Sequence, residues 1–221
     1  MKTIITGSTG MVGKGVLLEC LDDPAVTKVL LINRSPIDRS HPKIEEVLHE
    51  DFTDFRAVED RLKAYDACFH CMGVSSAGIS KAAYYKLTYA VSEALATATH
   101  RANPDVLFTY VSGEGTDGTE QSRTMWKWVK GKTENMILNV GFKDAYAFRP
   151  GMILPERGIR SKTRLYQATY DVVRPLFPLF RRLPSVTTTR NVGRAMINLH
   201  EHPQELKHLE GADINRIAAL R

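Results

Sequence analysis

The chain has 221 residues, 43% of them hydrophobic and a quarter charged, the composition of a folded globular domain rather than a disordered segment. Its 30 lysines and arginines against 25 acidic residues leave +5, a mild bias toward an anionic small molecule. The dense basic runs with interleaved aromatics of a nucleic-acid-binding protein are missing. No stretch approaches about 18 consecutive apolar residues, so no integral membrane segment is expected. The opening MKTIITGSTG is too poor in apolar residues for a secretory signal, and three cysteines, an odd number, point to a reducing compartment, the cytoplasm by default.

In chain order, KTIIT (2–6) reads as a buried strand, and the apolar spacing after residue 11 as a helix running to the break at Pro24. KVLLIN (28–33) is a second strand and 55–62 a short helix. ACFHCM is a third strand, whose Cys68 and Cys71 fall on opposite faces and so fill core rather than form a redox pair. A long helix over 81–101, a strand at 105–112, a helix over 122–139 and a strand at 145–150 follow. This β-α-β-α order with continuously apolar strands predicts an α/β fold, a doubly wound parallel sheet in one domain spanning 1–221. Residues 162–182 carry an apolar helical stripe broken by Pro175 and Pro178, within a substrate-side insertion or lid at 152–190. A helix over 191–200 comes next, and the tail 214–220 is ambiguous. His200, His202 and His208 read as solvated helix surface rather than a metal site, since no cysteine or carboxylate spacing completes one.

The chemistry starts at the first turn. Gly7-Ser8-Thr9-Gly10-Met11-Val12-Gly13 is a G-x-x-G-x-x-G between a strand and a helix, the context in which glycines let backbone amides approach a pyrophosphate at a helix N-terminus. A nucleoside-triphosphate loop does not fit. Counting back from Gly13-Lys14, its first glycine falls on Ser8, and Gly15 stands where a serine or threonine binds magnesium. Where a NAD-preferring fold keeps a carboxylate for the ribose, the second strand ends in Asn33-Arg34-Ser35. Arg34 and Ser35 suit a 2′-phosphate, with Lys14 adding positive field, so NADP is favoured while NAD stays open.

GSTGMVGKGV, LINRS, CMGVSSAG, TYVSGEG, WVKGKTE and FRPGMILPERG, in this order, resemble atypical short-chain dehydrogenase/reductases, in particular the Tat-interacting oxidoreductase-like branch, over about residues 2 to 200. The resemblance implies that Gly7, Gly10 and Gly13 form the cofactor loop, with Thr9, Met11 and Val12 giving backbone contacts. Asp51 and Phe52 match the pair bordering the adenine, and Cys71, Met72 and Gly73 the strand end beneath the ribose. Ser112 matches the active-site serine, Lys130 the lysine on the nicotinamide ribose, and Arg149, Pro150 and Gly151 the turn beside the nicotinamide.

One departure matters. Such reductases place a tyrosine four residues before the lysine as proton donor; here that residue is Trp126, and none of the eight tyrosines has a lysine four positions later. An indole cannot act as a general acid near neutral pH. Tyr84, Tyr85, Tyr166 or water remain as other donors. General acid help is worth roughly 3–5 kcal/mol of barrier, so a small planar electron-poor acceptor such as a quinone or flavin suits this chain better than a carbonyl. The alternative is a dinucleotide-binding regulatory or interaction protein that has lost turnover. A serine hydrolase is disfavoured, since neither GVSSAG nor YVSGEG fits its elbow. Membrane-surface docking through 162–182 ranks below a substrate-side wall, and a homodimer is left open.

Overall fold

The computed structural model describes residues 1–160, 167, 170, 175, 177–180 and 183–220. Its strands are β1 (Lys2–Thr6), β2 (Lys28–Asn33), β3 (Ile44–Leu48), β4 (Ala67–His70), β5 (Leu107–Val111), β6 (Asp144–Arg149), β7 (Met152–Leu154), β8 (Val186–Thr188) and β9 (His208–Glu210). Among the described residues, seven form a wholly parallel sheet in the order β3-β2-β1-β4-β5-β6-β9. The strand order reverses between β1 and β4, which opens a crevice at the carboxyl ends of the strands.

Both sheet faces are covered because neighbouring strand residues are apolar alike. Ile4, Leu30, Cys68 and Phe108 pack under one helical layer, while Ile5, Leu31 and Phe69 pack under the other. Each such fully buried aliphatic side chain contributes about 1.5–3 kcal/mol. The Ile5 side is covered by α1 (Met11–Asp22) and by two late helices, Thr189–Asn198 and Gly211–Ala218. The Ile4 side is covered by α2 (Glu59–Leu62), α4 (Val91–Ala102) and α5 (Met125–Asn139). Cys68 and Cys71 lie in opposite cores as free, buried thiols, and burial pushes the Cys68 thiol up to about 12 and that of Cys71 higher still.

Several boundaries differ from the sequence expectation. The third strand stops at His70, and the helix expected from residue 122 begins at Met125. The long helix over 81–101 is three pieces: α3 (Lys81–Tyr85), capped by Ser80, then a π-helical turn at Lys86–Ala90, then α4. β3 escaped notice because IEEVL is the sheet's edge, where glutamates blunt further pairing. β7, β8 and β9 are three residues each, too short for periodicity, and His208 lies on a strand rather than a helix surface. The tail is helical from Gly211, with Asp213 Oδ2 accepting the Glu210 N–H at 3.2 Å.

Within 152–190, β7 and β8 pair in parallel. Of the 162–182 stripe, Phe177–Phe180 form a short helix, α6, while Leu165, Tyr166, Thr169, Val172, Val173 and Leu176 lie outside the described residues. The Thr189–Asn198 and Gly211–Ala218 helices are then α7 and α8. No helix among the described residues is long and apolar enough to cross a membrane.

A buried polar chain on the α4 side of the sheet joins α4 to β4 and β1 at the switch point. Ser92 Oγ donates to Thr88 O at 2.6 Å, so its oxygen accepts from His70 Nε2 at 2.9 Å. His70 Nδ1 then accepts from Thr6 Oγ1 at 2.7 Å, which fixes a neutral imidazole. Burial, with Lys130 nearby, lowers the His70 pKa to about 3. The unfolded chain therefore takes up a proton near pH 6.5 that the native state refuses. Stability is expected to fall as pH drops from about 6.5 toward 3, by about 1.4 kcal/mol per pH unit from this group. Urea unfolding at stepped pH should show that slope, and His70→Asn should lose it along with roughly 1–3 kcal/mol at neutral pH.

Candidate functional site

The turn from β1 into α1 is built by close backbone approach. Gly7 has φ +75°, and a Cβ there would stand 2.8 Å from Met72 N. A Cβ on Gly13 would lie 2.2 Å from the Gly7 carbonyl oxygen, so the first turn of α1 sits directly against the loop. The Gly10 N–H donates to Gly7 O at 2.9 Å, while α1 has neither a side-chain cap nor an acidic residue in its first turn. Amides at a helix start without a cap form an anion cradle of about half a positive charge.

The loop opens onto a cleft of about 490 Å³ at the ends of β1, β2, β3 and β4. Gly7, Thr9, Gly10 and Met11 form its floor, Arg34, Asp51 and Phe52 one wall, and Cys71, Met72 and Gly73 the other. Val12 and Gly13 stand behind the loop, and Ser35 faces a second cleft that shares Thr9 with the first. Asp51 Oδ1 accepts the Thr53 hydroxyl at 2.6 Å and the Thr53 N–H at 2.9 Å, bonds that hold its carboxyl below the usual range. Phe52 packs edge-on against Phe55.

Three contributors were not foreseen. Asn33, buried at the end of β2, accepts from Ser8 Oγ and donates to Glu46 Oε1, both at 2.9 Å, and so ties the glycine loop to β3. Its polar side chain ending an apolar strand was the available signal. Lys86 and Leu87 reach the cleft from the π turn. A spacing argument built on 3.6 residues per turn misplaces them.

Ser112, Lys130, Arg149, Pro150 and Gly151 do not line this cleft. They gather at the ends of β5 and β6. Lys130 Nζ donates to Ser112 O at 3.0 Å, and burial lowers its pKa to about 8, opposed by Glu134 one turn on. Ser112 Oγ is 3.1 Å from Thr116 Oγ1, which itself donates to Gly113 O at 2.7 Å, so the serine proton is committed to Thr116. Arg149 turns inward: its guanidinium meets the fully buried Glu134 carboxylate at 2.5 Å, and Glu210 lies 3.7 Å away. The Pro150 carbonyl accepts the Glu114 N–H at 3.1 Å, and Gly151 leaves space that the Glu114 carboxylate fills. Trp126 lies partly buried against Gly115. Tyr84 is buried, Tyr85 is stacked on Tyr89 and Trp128, and Tyr166 is outside the described residues.

The residues fit a dinucleotide: Gly7 and Gly13 let β1, β4 and α1 pack backbone to backbone, which leaves the uncapped first amides of α1 at the crevice where a diphosphate would lie. A 3-2-1-4-5-6 parallel sheet with a glycine cradle at its switch point defines a nicotinamide-dinucleotide-binding fold. The NAD dependent epimerase/dehydratase family model matches residues 3–127, and the chain belongs to that family, within the wider short-chain dehydrogenase/reductase group.

Protein FMP52-1, mitochondrial, of Scheffersomyces stipitis is 29% identical over 159 residues, 71% of this chain and 69% of the relative. FMP52, mitochondrial, of Meyerozyma guilliermondii is 22% identical over 99% of this chain and 95% of its own. Among solved structures, the Helicobacter pylori ADP-L-glycero-D-manno-heptose-6-epimerase superposes with a TM-score of 0.69 at 15% identity, covering 98% of this chain and 80% of that one. Uronate dehydrogenase from Agrobacterium tumefaciens gives 0.68 at 19%, covering 96% and 76%. The Bordetella bronchiseptica enzyme WbmH, solved in complex with NAD+, gives 0.64 at 17%, covering 90% and 72%. These structures share the fold. The relatives' names overturn the cytoplasmic expectation, because they place those proteins in the mitochondrion. The cysteine argument failed there because unpaired thiols separate reducing from oxidising surroundings, not one reducing compartment from another.

Gly13→Ala is expected to displace the loop at a cost of about 1–3 kcal/mol and to weaken dinucleotide binding at least tenfold, as measured by calorimetric titration.

Proposed function

We propose that the chain is an NADP(H)-dependent reductase that passes hydride to a small planar, electron-poor acceptor of the quinone or flavin type. The observation that carries the cofactor half is Arg34. It follows β2 directly, lines the main cleft, is exposed, and has no ion pair among the described residues, so its charge is free for a phosphate. Gly7, Gly10 and Gly13 shape the diphosphate cradle, Asp51 and Phe52 border the adenine end, and Cys71, Met72 and Gly73 pass beneath the ribose. When bound, the nicotinamide supplies the hydride.

The acceptor half rests on what the second cluster cannot do. Trp126 has no proton to give, and the Ser112 hydroxyl presents a lone pair rather than a proton because its hydrogen is held by Thr116. The Lys130 ammonium, anchored on Ser112 O, orients the ribose side and supplies positive potential. Such a cluster suits an acceptor that takes up electrons before its proton. The same two observations favour, as a second reading, a protein that holds the dinucleotide without turnover.

Arg34→Ala should raise the NADP Kd about ten- to a hundredfold and leave the NAD Kd unchanged, the loss of one charge-assisted contact. Equal NAD and NADP affinities in both proteins would remove the phosphate claim. Stoichiometric NADPH oxidation with a quinone or flavin supports the reductase; tight binding with no oxidation across the panel supports the second reading.

Since Lys130 is charged below about pH 8 and loses its charge above, turnover should fall as pH rises through about 8. Lys130→Met should flatten that limb and lower the rate about tenfold or more.

A further inference from the structure

The chain's two tryptophans stand two positions apart near the start of α5 and are used differently. Trp128 belongs to the fold: its ring stacks on Tyr85 at a centroid distance of 5.9 Å and lies under the Lys81 ammonium at 4.2 Å. Trp126 makes no ring stack among the described residues, and the cation beside it is its own neighbour Lys127, 5.7 Å from the ring centroid. Its indole N–H has no acceptor among the described residues, and the nitrogen is not sealed from solvent. A large, partly buried aromatic side chain with an idle donor contributes little as packing and much as a binding surface.

Its surroundings are those of the second cluster. Trp126 shares a helix face with Lys130, one turn on, whose Nζ spends two of its three protons on Ser112 O at 3.0 Å and Val111 O at 3.4 Å. The benzo edge of the indole rests by the loop after β5, with Cη2 3.9 Å from where a Cβ on Gly115 would stand. Gly113 has no atom within 4 Å of that position on itself, so the chain beside the indole carries little bulk. The Ser112 hydroxyl cannot help an oxygen that gains charge here, because its proton is committed to Thr116. Trp126 supplies the donor that the serine does not.

We propose that the Trp126 indole N–H is the oxyanion donor for a quinone acceptor, holding by a hydrogen bond the oxygen that becomes charged, without passing it a proton. This rests on the reductase reading above and names the residue that makes a quinone its substrate class. Hydride transfer to one quinone oxygen breaks a C–H bond of the reduced nicotinamide and forms an O–H bond. The nicotinamide is oxidised, the quinone is reduced, and the negative charge is left on the opposite oxygen. That oxygen accepts from the indole, with the Lys130 ammonium adding positive potential, and takes its proton from water on release. A hydroquinone anion tolerates such a wait, whereas an alkoxide formed from a simple carbonyl needs its proton at once.

The test compares the full chain with Trp126→Phe, Trp126→Tyr and Trp128→Phe, each verified as folded by urea unfolding, in NADPH oxidation with 2-methyl-1,4-naphthoquinone. Trp126→Phe keeps a ring and loses the N–H, and should lower kcat about ten- to a hundredfold with KM changed less than about threefold. Trp126→Tyr should restore most of the rate, because a phenol also donates, and should add reduction of an aromatic aldehyde that the wild type leaves untouched. Trp128→Phe should leave kcat within about twofold, since its ring is spent on Tyr85 and Lys81. A Trp126→Phe protein with wild-type kcat overturns the proposal, and so does a loss confined to KM, which would make the ring a packing face only. Should the wild type oxidise no NADPH with the quinone, the reductase reading fails and a titration with the enolate of 2-hydroxy-1,4-naphthoquinone decides. Binding at least about fivefold tighter to wild type than to Trp126→Phe upholds the donor, while equal affinity or no binding overturns it.

Discussion

The approach of Gly13 to the carbonyl of Gly7 is the constraint from which the rest of the site follows. It sets α1 hard against the end of β1, aims the helix's first amides at the crevice, and leaves no room for a side chain at either residue. The same packing fixes the path of β4, because Gly7 lies against the backbone of Cys71 and Met72. The floor and one wall of the cleft are therefore positioned by these close backbone contacts, and Asn33 ties the loop to the other side by bonding Ser8 to Glu46. What remains for side chains is selectivity, which is why the charged residues at the rim are exposed rather than embedded.

A second framework, electrostatic rather than steric, holds the other end of the sheet. Glu134 is fully buried and would be costly as a lone charge; Arg149 of β6 meets it directly and His208 of β9 lies 3.6 Å away. Three elements, α5, β6 and β9, are thereby joined at one carboxylate. Lys130 sits a turn before it on the same helix, so the charge that tempers the lysine's depressed pKa is also the one that anchors its helix to the sheet.

What the sequence disclosed follows from how local each determinant is. The glycine loop was legible because its spacing answers to contacts within seven residues, and β1, β2, β5 and β6 because strands covered on both faces are apolar throughout. β3 was hidden by its edge position, and the π turn because an inserted residue shifts the helical face without changing composition. Arg149 illustrates a different limit. Matched to a turn beside the cofactor, it turns instead toward Glu134, 15 residues earlier in the chain, a pairing that no spacing rule reveals. The tyrosine-to-tryptophan departure at Trp126 was plain, whereas the commitment of the Ser112 proton to Thr116 needed geometry. Compartment lay beyond the reach of composition.

The helix that opens the glycine cradle is roofed by helices that come much later in the chain. Val16, Leu17 and Cys20 of α1 share a core with Val192 and Met196 of α7 and Ile214 of α8. On a ribosome, the cradle's supporting helix thus emerges well before its cover and waits with its greasy side exposed until α7 and α8 are made. A nascent chain of this kind offers chaperones a long window and cannot secure the cradle by early closure, so maturation of the cleft is tied to the synthesis of α7 and α8.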